Sequence, residues 1–318
     1  MQKTDKSFDG EQEFSSSAGL NNALRVIQDV IAQRIQLAVP DGERTGIVPL
    51  PTATEHFALI ILILSSPSSS PSLAALSSTF LPEIMKILIA VIPKTSAKVA
   101  IQQFKQVTKV LVHILHSNNS TKKDHGNDGD AIVLLCLRAM AEMMLLVSFS
   151  ITGASPIAAD WLKATNCFLS FLDDSREKIR KLVHQHILQL FSLEKGKEVS
   201  QSYMSDFFLE VLKGCNRSRY ERSMCVIMLL EAGCLVHVPS ASLVPIFEAA
   251  LKLQECGVNR LTAMVYKTFD SFFQLRSQLM STPSPSSKLS PQDMEEQKVA
   301  INRCFQILLR HPPSNADM

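Results

Sequence analysis

The sequence predicts an all-α protein, arranged as an α-solenoid of stacked antiparallel helix pairs. Three observations carry this. Apolar residues recur at three-and-four spacing through nearly the whole chain, which places them on one face of a helix. No segment alternates apolar and polar residues with β-branched enrichment, as a half-buried strand would. Helix, short turn, helix, longer turn recurs at roughly 35 to 45 residues, the period of two-helix repeats whose apolar faces are covered only by stacking on a neighbour.

The elements follow in order. NNALRVIQDVIAQRIQLAV places Leu24, Ile27, Ile31, Ile35 and Leu37 on one helical face. EHFALIILIL, STFLPEIMKILIAVI and AKVAIQQFKQVTKVLVHIL continue the rhythm, as do AIVLLCLRAMAEMMLLVSF, IAADWLKATNCFLSFL and REKIRKLVHQHILQLF. YMSDFFLEVLKG, YERSMCVIMLLEAGCLV, ASLVPIFEAALKLQ, VNRLTAMVYKTFDSFFQLRSQLM and PQDMEEQKVAINRCFQILL complete the set. Pro, Gly and Ser clusters punctuate them, because these residues end helices and favour turns. The expected organisation is a disordered tail over 1–17 and a solenoid over 18–280 with flexible loops at 65–72 and 116–130. A Ser/Pro linker over 281–291 and a C-terminal helix over 292–310 follow.

Composition narrows the function classes. Of 318 residues 46% are hydrophobic, too many for a disordered chain. Lys and Arg total 32 and Asp and Glu 30, so a strongly basic nucleic-acid arm is not expected. With 11 glycines and no G-x-x-x-x-G-K or G-x-G-x-x-G string, a glycine-rich phosphate-binding fold is excluded. The seven cysteines have no C-x-x-C spacing and lie mostly in apolar runs, where a thiol acts as a small hydrophobe, so a reducing compartment is expected. The polar N-terminus lacks the apolar core of a signal peptide. The most apolar run, at 57–64, is far short of the roughly twenty residues of a spanning helix, so no membrane partner is expected.

Catalytic and metal constellations are weak. His184 and His186, two apart on a helix, point to different faces. His113 and His116 share a face, but no Cys or carboxylate joins them at ligand spacing. The eight histidines read as helix-surface residues. G-x-S-x-G is absent, and Asp173-Asp174 and Glu295-Glu296 sit at helix starts, where carboxylates suit the helix dipole. No enzyme activity, cofactor, metal or small-molecule substrate is expected.

Two features carry the site. In FLDDSREKIRKLVHQ, Asp174 is followed by Ile179 and Arg180. An Asp between helices, then a β-branched residue and an Arg, resembles the HEAT-repeat signature. Asp174 can cap the second helix or accept from turn amides, and Arg180 can bond an inter-helix carboxylate. From Arg176 to Arg222 there are ten Lys or Arg against six acids. Arg176, Lys178, Lys181, Arg217, Arg219 and Arg222 are candidate RNA or phosphate contacts, the arginines at 217 and 219 lying at a helix start where free amides attract phosphate. The competing assignment is a solvated face at successive turns.

Taken in order, these segments resemble the N-terminal part of the ribosomal RNA-processing protein twelve family. EHFALIILIL, then FLPEIMKILIAVIPKTSAKVAIQQFKQVTKVLVHIL, resemble its early helices. LLCLRAMAEMM, the lone Trp161 and FLSFLDDSREKIRKLVHQHILQLF resemble its Cys-Leu helix, lone Trp, Leu-Ser-Phe and Ile-Arg-Lys turn, and the segment from SMCVIMLLEAGC to SFFQLR resembles its next repeats. The likeness covers roughly residues 20 to 276; family members are several times longer. It implies a HEAT/ARM-like scaffold of the nucleus and nucleolus, serving ribosomal RNA processing, pre-ribosome maturation and subunit export. The implied partners are pre-ribosomal particles, ribosomal RNA and the Ran and karyopherin machinery. The alternative is a karyopherin-like or other HEAT-repeat adaptor that binds protein without RNA.

Overall fold

The computed structural model describes residues 52–65, 71–119, 128–151, 155–193, 197–281 and 291–311. The expected tail at 1–17 and the helix around Leu24 to Leu37 lie outside these, as do the interiors of the expected loops and linker. Among the described residues the protein is all-α, with eleven α-helices and no strand. The chain divides into two compact units, Met1–Val147 and Ser148–Met318.

The first unit holds α1 (Ala53–Ser65), α2 (Pro71–Val91), α3 (Ala97–Asn119) and α4 (Asp128–Ser148). A reciprocal capping box starts α1: the Glu55 amide donates to Thr52 Oγ1 at 3.2 Å, and the Glu55 carboxylate accepts from the Thr52 amide at 2.7 Å. The Thr52 amide, together with the Thr52 hydroxyl at 3.0 Å, donates to the Glu55 carboxylate and holds it below its ordinary range. Helix α1 packs on α2 and α3. Phe57, Met85, Leu88, Phe104 and Val107 are buried, set by the three-and-four spacing of each helix. Helix α3 runs on to Asn119, into the segment expected as loop, where Asn118 Nδ2 donates to the Ile114 carbonyl at 2.8 Å.

Helix α4 is less apolar per residue than α1 but longer. Over Gly129–Ser148 it is long and apolar enough to cross a membrane by length and composition. In the protein 61% of its most apolar window is buried, including Val133, Cys136, Leu137, Met140 and Met144, and a helix buried inside a core passes the same test.

The second unit holds α5 (Ala158–Leu169), α6 (Glu177–Phe191), α7 (Lys197–Lys213), α8 (Tyr220–Glu231), α9 (Ser240–Leu251), α10 (Asn259–Ser281) and α11 (Pro291–Arg310). Here, from α6 onward, each helix packs on the next but one. Helix α6 lies beside α8 and α8 beside α10; α7 lies beside α9 and α9 beside α11. The contacts between α6 and α7, α7 and α8, and α9 and α10 join the two files. Aromatic side chains fill the space between. Phe247 of α9 is fully buried, stacks on Phe269 of α10 at 4.1 Å between ring centroids, and meets Phe272 edge-on at 5.5 Å. Phe191 of α6 stacks on Phe208 of α7 at 5.4 Å. Gly233 ends α8 at φ 125°, a conformation that a Cβ would strain, and turns the chain into a 3₁₀ turn at Cys234–His237.

Candidate phosphate-contact edge

The last turn of a helix leaves carbonyl oxygens without intrahelical partners. In the turn at 170–176, which follows α5, backbone amides take the carbonyls of Asn166, Cys167, Phe168 and Leu169, and side chains bond Leu169 again and the turn's own carbonyls. Arg222 Nη2 donates to the Leu169 carbonyl at 3.1 Å, His184 Nε2 bonds the Leu172 carbonyl at 3.0 Å, and Arg180 Nη1 donates to the Asp174 carbonyl at 2.7 Å. Two of these residues come from α6 and the third from α8. Ile179, between them in the first turn of α6, is buried.

Asp174 does not cap α6. Its Oδ1 accepts from the backbone amide of Arg176 at 2.9 Å, and the same oxygen accepts from Arg176 Nε at 2.9 Å while Oδ2 accepts from Nη2 at 2.8 Å. The carboxylate therefore tightens the turn through its amide and grips the neighbouring guanidinium as a fork. Arg180 finds a carbonyl rather than the carboxylate expected for it. The local spacing, Asp at position 174 and Arg two residues on, decides this pairing before any longer reach is needed.

Arg222 makes the longest reach. From the first turn of α8 its Nη1 donates to Asp173 Oδ1 at 2.5 Å, and its guanidinium lies 5.5 Å from the centroid of the Phe207 ring on α7. Asp173, Phe207, Arg219 and Arg222 line a groove of about 530 Å³. One turn further along, Cys215 and Cys256 bring the turn at 214–219 against the turn at 252–258, with 3.7 Å between sulfurs. Three alternate inter-helix turns thus lie in a row, the first tied to the start of α8 by Arg222 and the second to the third by Cys215 and Cys256.

The six expected phosphate contacts fall into two groups along this edge. The guanidiniums of Arg176 and Arg222 are held by Asp174 and Asp173. Lys181 is exposed and pairs with Glu177 one helical turn away at 2.6 Å. Lys178, Arg217 and Arg219 are exposed, and among the described residues no ion pair holds them. Arg219 immediately precedes α8, as its spacing predicts. Lys213 and Lys252 line a groove with Arg217, close to Glu255, and were not legible as neighbours because 39 residues separate the two lysines (252 − 213).

Three histidines depart from the surface reading. His56 is buried on α1, with Nδ1 2.9 Å from the Thr52 carbonyl. His184 ties the turn just described, and burial holds its imidazole below the ordinary range against the opposing pull of its bond to Leu172. His186 is buried, edge-on to Phe168 at 4.9 Å, with Nδ1 3.3 Å from Gln189 Oε1. Burial pushes its pKa down to about 4, the Gln189 bond opposing. The side chains of His184 and His186 do face apart. Among the described residues no cluster of three His, Cys, Asp or Glu is placed to hold a metal ion.

Compared with protein families, curated proteins and solved structures, the chain matches none.

Proposed function

We propose that the protein is a non-catalytic helical-repeat scaffold of ribosome biogenesis, an α-solenoid of the HEAT/ARM kind that contacts RNA phosphates along the edge built from its inter-helix turns. Its place is the nucleus and nucleolus, in ribosomal RNA processing, pre-ribosome maturation and subunit export. The biological setting rests on the ordered resemblance of residues 20 to 276 to the ribosomal RNA-processing protein twelve family. The partners that resemblance implies are pre-ribosomal particles, ribosomal RNA and the Ran and karyopherin machinery.

The observation that carries the reading is the row of turns at 170–176, 214–219 and 252–258, the first tied to the start of α8 by Arg222 and the second to the third by Cys215 and Cys256. Alternate turns on one edge are what helix-next-but-one packing produces in a solenoid. Lys178, Arg217 and Arg219 stand exposed there. Flexible cations spaced along one edge suit a phosphate backbone, whose attraction is sequence-independent.

Titrating a structured ribosomal RNA fragment against the full chain over a range of salt tests this. Arg217→Gln with Arg219→Gln removes two phosphate contacts and lowers the salt slope by roughly 1.4 to 1.8, with unfolding unchanged. An unchanged slope removes the edge from RNA binding. Purification of the protein from nuclear extract without pre-ribosomal RNA removes the larger reading.

A second reading is a karyopherin-like adaptor that binds protein alone. Glu210 and Glu221 line the same groove as Arg219, and Glu255 lines the groove of Arg217, so the edge carries both signs of charge. Ran-GTP capture without RNA supports this alternative.

A further inference from the structure

Cys136, Cys225, Cys234 and Cys304 are buried, and burial pushes the Cys136 thiol up to about 12. Such thiols are inert packing groups. Cys215 and Cys256 differ in three ways. Both are partly exposed. Both sit on turns, Cys215 two residues after α7 ends and Cys256 at the end of the 3₁₀ turn Lys252–Cys256, just before Gly257 at φ 65°. Their sulfurs are 3.7 Å apart, although 41 residues separate them in the chain. A groove of about 690 Å³ opens onto the pair, lined by Lys213, Arg217, Lys252 and Glu255.

We propose that Cys215 and Cys256 are a redox-responsive dithiol that closes to a disulfide on exposure to a peroxide and reopens with a reducing thiol. This rests on the turn geometry alone and stands whether or not the edge binds RNA. A disulfide needs sulfurs about 2.05 Å apart, so the two must approach by about 1.7 Å. Turns allow this where helices would not, and left-handed Gly257 lets the backbone beside Cys256 adjust.

Cys256 Sγ is paired with Cys215 Sγ, and Cys215 Sγ donates to the Asn216 carbonyl at 4.0 Å. Partial burial, the bond to Cys215 and the Glu255 carboxylate raise the Cys256 pKa. In the proposed sequence Cys215 attacks first. Its thiolate displaces hydroxide from hydrogen peroxide: an S–O bond forms, the O–O bond breaks, and the hydroxide takes a proton to leave as water. Cys256 loses its proton and attacks the Cys215 sulfur, an S–S bond forms, the S–O bond breaks, and a second hydroxide leaves as water. Two thiols and one peroxide give one disulfide and two waters, the sulfurs losing two electrons and the peroxide oxygens gaining them. Thiol–disulfide exchange with a small reducing thiol reverses it. The closed form cross-ties the turn at 214–219, which carries Arg217, to the turn at 252–258.

The test is peptide mapping of the full chain by mass spectrometry, without reductant, after brief exposure to hydrogen peroxide. The expected result is a crosslinked peptide pair containing Cys215 and Cys256, two hydrogens lighter than the sum of its parts and released by dithiothreitol. In Cys256→Ser, Cys215 stops at the sulfenic acid and is trapped by dimedone; in Cys215→Ser, Cys256 stays a free thiol that alkylates with iodoacetamide. Far-ultraviolet circular dichroism confirms that both serine variants fold. The proposal is overturned if wild-type Cys215 and Cys256 alkylate as fully after peroxide as before, if Cys215 proceeds to sulfinic acid without crosslinking, or if it pairs with a different cysteine.

Discussion

Removing the Arg222 side chain separates a structural clasp from a phosphate contact. Arg222 touches three groups: Asp173, the Leu169 carbonyl and the Phe207 ring. The ion pair is about one-third exposed on both sides, at 32% and 34%, so solvent screening holds its worth to roughly 0.5 kcal/mol. The guanidinium bond to the helix-end carbonyl contributes about 1 to 1.5 kcal/mol, and the ring contact about 0.5 kcal/mol. Arg222→Ala should then cost about 2 kcal/mol. In urea, with a slope of roughly 2 kcal/mol per molar, the unfolding midpoint falls by about 1 M. The lone Trp161, fully buried on α5 beside this turn in sequence, is a fluorescent reporter of that transition. A double-mutant cycle of Asp173→Asn with Arg222→Gln should recover a coupling of about 0.5 kcal/mol. An unmoved midpoint, together with a salt slope of RNA binding that drops by about one contact, would refute the reasoning and return Arg222 to the phosphate-contact set.

Other outcomes follow from burial and backbone. His186 has a folded pKa of about 4 against an ordinary 6.5, so the unfolded chain binds the extra proton between those values and stability falls as the solution is acidified through that window. The full loss approaches roughly 3 kcal/mol by pH 4, and urea midpoints measured from pH 7 to pH 4.5 should flatten in His186→Phe. Phe247→Ala empties a site stacked on Phe269 and flanked by Phe272, and should cost about 4 kcal/mol by chemical denaturation; a cost under 1 kcal/mol would mean the site collapses around the gap. Gly233→Ala meets no neighbouring atom within 4 Å, so its cost, about 1 to 2 kcal/mol in thermal unfolding, comes from φ 125° alone.

The helices were legible because their signal is local. The spacing of Ile179, Val183, Ile187 and Leu190 both predicts α6 and fixes the face it buries. The Asp174 turn was legible for the same reason, since the amide and guanidinium it holds are two residues away. What the sequence hid is distant pairing. Arg222 reads as one more cation until α8 brings it to Asp173, 49 residues upstream. Cys215 and Cys256 lack motif spacing, and only the stacking of two turns joins them. The apolar run of α4 was legible despite Arg138 and Glu142, each one residue in a helix otherwise largely buried. His186 shows the reverse limit: its position on the buried face of α6 follows from the same periodicity, but a polar residue there reads as surface by type.

The turn at 170–176 differs mechanically from the one at 214–219. Its carbonyls are anchored by three side chains from two helices, and its acids by two guanidiniums. The turn at 214–219 is braced mainly within itself, where Asn216 Oδ1 accepts from the amide and hydroxyl of Ser218. Rearranging the first turn therefore breaks bonds to α6 and α8, whereas Arg217 and Arg219 stand on a turn whose Asn216 and Ser218 bonds are local and can be kept while the two cations adjust to a curved surface.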